Sequence, residues 1–372
     1  MTRSRTAARQ PLDRVRRRRI LLSGVAVLAI LGTAGATLTA VAAHQLHGSI
    51  RTQDIGPLLG ADRPTAAGLG ASGRAGPIDV LVLGSDSRAG ANGFIGGANN
   101  GARSDTAILL HLSADRSRAV AVSIPRDSMV ALPTCTTSSG TTVAGSVRMF
   151  NDAYTTGGAA CAVKSVESLT HLRIDHYVVV DFAGFKEVVD ALGSVPICLP
   201  RAVNDLRHGI RLPAGRSTVD GTTALAYVRE RYVLGDGSDL GRISRQQAFL
   251  SSVLQQATSA GVLTNPLRLY RVLSASARAL TMDPQLADLS TLTSFASDLA
   301  HIGLARIRFV TVPTAPDPAD HNRLIWTTSA ARLWTALRDD APIKVTATAR
   351  ATGSSATAPL IGRTAATNIC TA

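Results

Sequence analysis

Four arginines, Arg229, Arg231, Arg242 and Arg245, crowd around a glycine-rich turn in the stretch "RERYVLGDGSDLGRISRQQAFL" (229–250). Alternation in "YVRERY" reads as a strand, with Arg229 and Arg231 on one face and Glu230 on the other. In "DLGRISRQQAF", Arg242, Arg245 and Gln246 stand at i, i+3 and i+4, sharing a helix face near its positive N-terminal end. Planar guanidinium forks match phosphate oxygens two at a time. Several converging forks suit a diphosphate better than a lone carboxylate.

Three further polar clusters follow strand-like runs: "GSDSR" (84–88), "RSDT" (103–106) and "PRD" (125–127). Binding groups gather at strand ends in α/β domains, so Asp86, Arg88, Arg103, Asp105, Arg126 and Asp127 join the candidate site. Asp86 and Asp105 offer hard oxygen donors of the kind Mg²⁺ takes from a protein, one or two carboxylates beside substrate phosphates. The sequence contains no GxxxxGK[ST], no HExxH and no GxSxG, which argues against a P-loop ATPase, a zinc hydrolase and a serine hydrolase. His111, His171 and His176 are scattered and read as packing or hydrogen-bonding residues.

The elements that must position these groups follow from periodicity. Ile78–Gly84 is a short β-branched apolar run, a buried strand; 106–113 and 118–125 read as antiparallel neighbours across the tight "ADRS" turn. A helix is expected over Ala159–Leu172 after the glycine pair, then a strand at "HYVVVDF". Next comes a helix at "FAGFKEVVDALG", with Phe185, Val188, Val189 and Leu192 on one face and Gly193 as its stop. A longer helix beyond Asp239, a strand over 306–313 and a late helix at "TSAARLWTALRDD" complete the pattern. This alternation predicts a three-layer α/β/α domain with a mixed central sheet over residues 78–340. Residues 44–77, rich in Ala and Gly, read as a stalk, and 341–372 as a low-complexity C-terminal tail.

The chain has 372 residues and a formal charge of +13, but residues 1–19 hold eight arginines against Asp13 alone, so the excess sits largely in that tail. Ile20–Ala43 follows without a charge and is long enough to span a bilayer as one transmembrane helix. With Arg14 and Arg16–Arg19 at its edge, the N-terminus is expected in the cytoplasm and the domain outside the cell membrane. A cleaved signal peptide is the competing reading, and the length of the apolar run disfavours it. The four cysteines form no CxxC and read as two disulfides, with Cys135–Cys161 favoured as the shorter loop and Cys198–Cys370 tethering the tail. No helix-turn-helix accompanies the basic charge, so no nucleic-acid partner is expected.

Taken in order, "GSDSR", "RSDT", "SIPRD", "NDAYTTGG", "DHYVVVDFAGF", "LAYVRER" and "GSDLGRISRQQAFL" resemble the LytR-CpsA-Psr family of Gram-positive bacteria over residues 78 to about 255. The resemblance implies a membrane-anchored phosphotransferase that moves a glycopolymer from a polyprenyl-pyrophosphate carrier onto peptidoglycan, with Mg²⁺ as cofactor. It implies metal coordination by Asp86 and Asp105, and pyrophosphate contacts from Arg88, Arg103, Arg126, Arg229, Arg231 and Arg242, with Asp127, Arg245 and Gln246 nearby. Where the family usually has a basic residue two positions before Asn151, this chain has Met149, with Arg148 displaced by one, so Asn151 is ranked as structural or peripheral. The alternatives on the same site are a pyrophosphatase acting on the lipid-linked glycan and a non-catalytic receptor for lipid-linked sugars.

Overall fold

Strands β2 (Ile78–Ser85), β3 (Ser104–Leu112) and β4 (Ala119–Ile124) are the apolar runs of the sequence, and they pair antiparallel as consecutive neighbours. The computed structural model describes residues 50–66, 76–86, 104–137, 139–205, 210–230, 237–259, 261–262, 265–346 and 360–371. The proposed membrane span Ile20–Ala43 and the site candidates Arg88, Arg103 and Arg231 lie outside them. Among the described residues no helix is long and apolar enough to cross a membrane.

Six more strands complete one sheet: β1 (Arg51–Thr52), β5 (His176–Asp181), β6 (Leu280–Met282), β7 (Ile307–Thr311), β8 (Val345–Thr346) and β9 (Leu360–Thr364). Their order is β1-β6-β5-β2-β3-β4-β7-β9-β8. The sheet is mixed: β5 runs parallel to β2 and β7 parallel to β4, while β6 and β9 are antiparallel to their inner neighbours. β2, β4, β5 and β7 therefore end at one edge of the sheet, and that edge carries the polar clusters.

Helices cover both faces. On one lie α1 (Gly56–Leu59), α2 (Asn151–Thr170) and α8 (Thr328–Arg338), which bury Leu59, Val163, Val166, Leu333 and Trp334 against Leu81, Leu83, Leu109 and Val122. On the other, α5 (Asp239–Ser259) and α7 (Leu289–Ile302) set Leu250, Leu254, Phe295 and Leu299 on Ile108, Ala121 and Phe309. A satellite core beside the sheet joins α3 (Phe182–Ala191), α4 (Gly221–Arg229) and α5 to the antiparallel pairs 195–199 with 215–219 and 203–205 with 210–212. The last helix, α6 (Pro266–Ala279), starts at an Asn265 cap with Pro at its first turn.

Three readings of the sequence change here. Residues 50–66 are no stalk: β1 pairs with β6, Ile55 and Leu59 are core residues, and Arg63 reaches the buried Glu167 with two nitrogens. The segment lacks periodicity because its few apolar residues each find a separate slot. Residues 360–371 are no free tail either, since β9 hydrogen-bonds to β7 and Cys370 closes a disulfide with Cys198. The helix expected from Ala159 does start there, after Gly157 and Gly158, whose backbone angles are non-helical, but a first helical stretch from Asn151 precedes it and the glycine pair is the kink between the two. Both expected disulfides form; the other joins Cys135 to Cys161 and ties the 135–136 strand to α2.

Candidate active site

The site is built at the carboxyl edge of the parallel strands. Gly84 pairs with Thr106 but Ser85 pairs with Ser104, so Asp105 is the extra residue of a β-bulge. A bulge re-aims a side chain out of the ladder, and here it turns Asp105 towards Arg126, just beyond the end of β4. Arg126 is a hub. Its guanidinium pairs with Asp105 and stands 3.5 Å from Asp127 and 3.6 Å from Asp239. Burial works against its charge, but the three carboxylates outweigh burial and raise its pKa above the ordinary arginine value. Asp239 in turn pairs with Arg242, which also donates to the Asp105 backbone carbonyl at 3.1 Å. Arg242 and Asp239 are both buried, so the helix end and the bulged strand are locked by alternating charge.

The start of "YVRERY" is helix, not strand: α4 runs to Arg229, capped at its start by Asp220 accepting from Thr223 N at 2.8 Å, and its end-cap Glu230 is extended. Ala224, Tyr227 and Val228 bury at helical spacing in the satellite core, and that packing overrides the β propensity of the segment. Arg229 at the helix end lies with its guanidinium carbon 4.2 Å from the centroid of the Phe182 ring, a cation–π contact. The helix face proposed for Arg242, Arg245 and Gln246 also divides. Arg242 and Gln246 point to the site, where Gln246 donates to Thr106 Oγ1 at 3.1 Å. Arg245 instead donates to the Glu230 backbone carbonyl just past α4, and Glu230 is itself buried.

These groups share a cavity of about 290 Å³. Its polar lining is Asp105, Arg126, Asp181, Arg229, Arg242 and Gln246; its apolar wall includes Val82, Val180, Phe182, Phe185, Leu225, Phe249 and Leu250. Phe185 and Phe249 stand with ring centroids 5.6 Å apart at this wall. The helices forming it pack unusually close. A Cβ on Gly184 would lie 2.4 Å from the Ala279 carbonyl of α6, and one on Gly221 2.4 Å from the Lys186 carbonyl of α3. Glycine at both positions lets α3 sit between its neighbours and sets Phe182 under Arg229.

Two carboxylates of the site escaped the reading of the sequence. Asp181, in register with Ser85 across β5 and β2, caps α3 by accepting from Gly184 N at 2.7 Å and lies 3.6 Å from Arg51. The signal was present: an aspartate closing an apolar strand just before a helical pattern is an N-cap. Asp239 carries a similar signal at the start of α5, but its pairing with Arg126 joins segments far apart in sequence. Asp86 follows β2 directly; burial, then Asp86 and Asp181, raise the pKa of the Tyr154 hydroxyl, with a Ser85 hydrogen bond opposing them. Asp127 lies on the far side of Arg126, 4.0 Å from Arg323. Asn151 donates its backbone N–H to the Arg126 carbonyl at 3.1 Å, and Arg148 turns to Thr156 on α2. The histidines stay outside the site: His111 bonds Asp79, His176 bonds Asp283, and His171 ends α2 in a left-handed conformation.

The model of the LytR_cpsA_psr family matches residues 45–339, and the chain belongs to that family. It is 32% identical over 264 residues to the cell wall biosynthesis protein LcpA of Corynebacterium glutamicum, a match covering 64% of this chain and 50% of that one. It is 32% identical over 189 residues to the polyisoprenyl-teichoic acid–peptidoglycan teichoic acid transferase TagU of Enterococcus faecalis, covering 51% of this chain and 56% of the relative. The chain thus spans about half the length of the curated relatives it matches. The fold is that of the LytR-Csp2A-Psr enzyme of Actinomyces oris, with a TM-score of 0.55 at 20% identity over 77% of this chain and 95% of that structure.

Proposed function

We propose that this protein is a membrane-anchored phosphotransferase that moves a glycopolymer from a polyprenyl-pyrophosphate carrier onto peptidoglycan. The observation that carries this reading is the two-part cavity: Arg126, Arg229 and Arg242 meet Asp105 and Gln246 at the mouth, and Phe182, Phe185 and Phe249 line the wall. A diphosphate fits the forks, and a polyprenyl chain fits the aromatic and aliphatic wall. The name of the Enterococcus faecalis relative describes the same pairing of a polyisoprenyl-linked donor with peptidoglycan.

In the reaction, a hydroxyl of a peptidoglycan sugar attacks the phosphorus attached to the glycan. A new P–O bond forms, the bond to the bridging pyrophosphate oxygen breaks, and polyprenyl phosphate leaves with the electron pair, while the hydroxyl proton passes to a site carboxylate. Arg229 and Arg242 stabilise the charge that develops on the leaving phosphate, and Arg126 holds Asp105 in place. Asp86 and Asp105, on adjoining strand ends, are carboxylates of the kind Mg²⁺ takes from a protein alongside substrate phosphates and water, although among the described residues no group of three or more metal-ligand side chains is found. Mg²⁺ bound there would supply charge neutralisation at the pyrophosphate. Ile20–Ala43 is the anchor in this reading, with the Arg-rich tail in the cytoplasm and the site outside the cell membrane.

The test is product analysis after incubating the purified chain with a defined polyprenyl-pyrophosphate glycan, Mg²⁺ and nascent peptidoglycan. Glycan phosphate bound covalently to peptidoglycan is the expected product. Release of soluble glycan phosphate would make the protein a pyrophosphatase, and retention of unreacted ligand would make it a receptor.

A further inference from the structure

Outside the cavity, Arg363 is a buried charge with no counter-ion among the described residues. Arg363 lies on β9, opposite Phe309 of β7. Ala365, two residues on and therefore on the same side of the sheet, packs with Phe309 and with Leu250 and Leu254 of α5, so Arg363 faces the layer that holds α5. It is only 9% exposed. Its Nε and Nη2 are buried with no hydrogen-bond partner; burial raises the pKa of the Tyr227 hydroxyl on α4, and the charges of Arg245 and Arg363 both act on that hydroxyl in the opposite sense. A guanidinium keeps its proton even when buried, and a buried charge without a partner is costly enough that folds seldom keep one.

This one is held in place. The Cys198–Cys370 disulfide anchors the segment on one side, and Gln255 Nε2 donates to the carbonyls of Ala365 at 2.6 Å and Thr367 at 3.3 Å. Long cationic side chains ordinarily escape burial by reaching to water; here the backbone on either side is fastened and the fork stays inside. Neither Arg363, Arg245 nor Tyr227 lines the cavity, and Arg363 lies beyond the residues that the family model matches.

We propose that Arg363, with the Arg245 charge and the Tyr227 hydroxyl beside it, forms a second oxyanion-binding site for a phosphate or carboxylate group. The fork supplies two parallel N–H donors to the anion and the phenol a third. The anion comes either from a substituent on the glycan or from free phosphate.

Binding of radiolabelled inorganic phosphate to the full-length chain, by equilibrium dialysis at constant ionic strength, tests the site. The wild-type chain is expected to show a class of phosphate site that Arg363→Gln loses and Arg229→Gln keeps. Arg363→Lys, which retains the charge without the fork, covers the case in which the glutamine variant does not accumulate, and is expected to bind at that site about tenfold more weakly or worse. An isotherm unchanged by either Arg363 substitution, or a chain that retains no phosphate once Arg229 is replaced, overturns the proposal. An Arg363-dependent class with no Arg229-dependent class beside it would count against the cavity reading and leave this one standing. Competition by glycerol phosphate then assigns the source: tighter than inorganic phosphate, it marks a substituted phosphate such as a glycan carries; weaker, a free anion.

Discussion

The two ends of the central sheet both hold charged networks, and they are built for opposite purposes. At the amino edge of β2, His111 is clamped between Asp79, 2.9 Å from Nδ1, and Asp340, 3.3 Å from Nε2, while Arg118 also reaches Asp340 at 2.7 Å. Asp79 and His111 are almost fully buried. At the carboxyl edge, Arg126, Asp105, Asp239 and Arg242 alternate in the same way, yet Arg126, Asp105 and Arg242 also line an open cavity beside Arg229. One network spends its charge on itself; the other leaves arginine facing a space shaped for a ligand. Ion pairing alone therefore does not mark a site; at this end of the sheet the cavity beside the network does.

The comparison is broken or sharpened by four substitutions. The largest effect on the fold is expected at the closed end: His111→Leu leaves Asp79 buried beside no partner and should lower stability by about 3–5 kcal/mol with turnover unchanged per folded molecule. The same residue sets a pH dependence. Burial opposes its protonation, but bonds and charge from Asp79 and Asp340 outweigh burial and raise its pKa above 6.5. Its stabilisation is therefore complete below about pH 6.5 and is lost as pH rises through the folded value. Melting temperature followed against pH should show this decline in the wild type and a flatter profile in His111→Leu; identical profiles would remove the protonated imidazole from the account.

At the open end, Arg126→Gln should lower turnover by ~10²-fold, the loss expected when Asp105 is no longer held in its working position. Its loss of stability should be smaller than at His111, because Asp105 borders a cavity that water can enter and Asp239 keeps its pairing with Arg242. Equal turnover in variant and wild type would show that this network, too, is structural. Next comes Cys198→Ser, which releases the segment carrying β9 from the satellite core. About 2–4 kcal/mol of stability should go with it, seen as a lower melting temperature that reductant lowers no further on that account. The smallest effect belongs to Glu187→Ala on α3. Its pairing with Arg278 spans 3.6 Å and both side chains are more than half or half exposed, so a change within about 0.5 kcal/mol is expected by thermal melting. Glu230, which alternation placed on an outer strand face, is unfit as such a control because it is buried.

Much of the molecule was legible from local pattern. β2, β3 and β4 are apolar runs bounded by turn residues, α3 and α5 carry their faces at helical spacing, and Asp86, Asp105 and Arg126 fall where strands end. Periodicity and strand-end placement are short-range properties, set by geometry within a few residues. Both disulfides were also foreseeable, since four cysteines with no CxxC leave only three pairings.

Tertiary structure decided what depends on distant partners. Arg245 and Gln246 are adjacent in sequence, yet one serves the end of α4 and the other the cavity, because which side of α5 meets which neighbour is settled only by packing. "YVRERY" alternates like a strand but yields to the satellite core, where a helix buries Tyr227 and Val228. β1 and β9 are too short and too weakly patterned to announce themselves, and they become strands only because β6 and β7 offer edges to pair with. Asp239 became a counter-ion to Arg126, and Arg363 a buried cation, through contacts spanning more than a hundred residues. Such contacts have no local signature, because the free energy that selects them is gained only once the sheet has assembled.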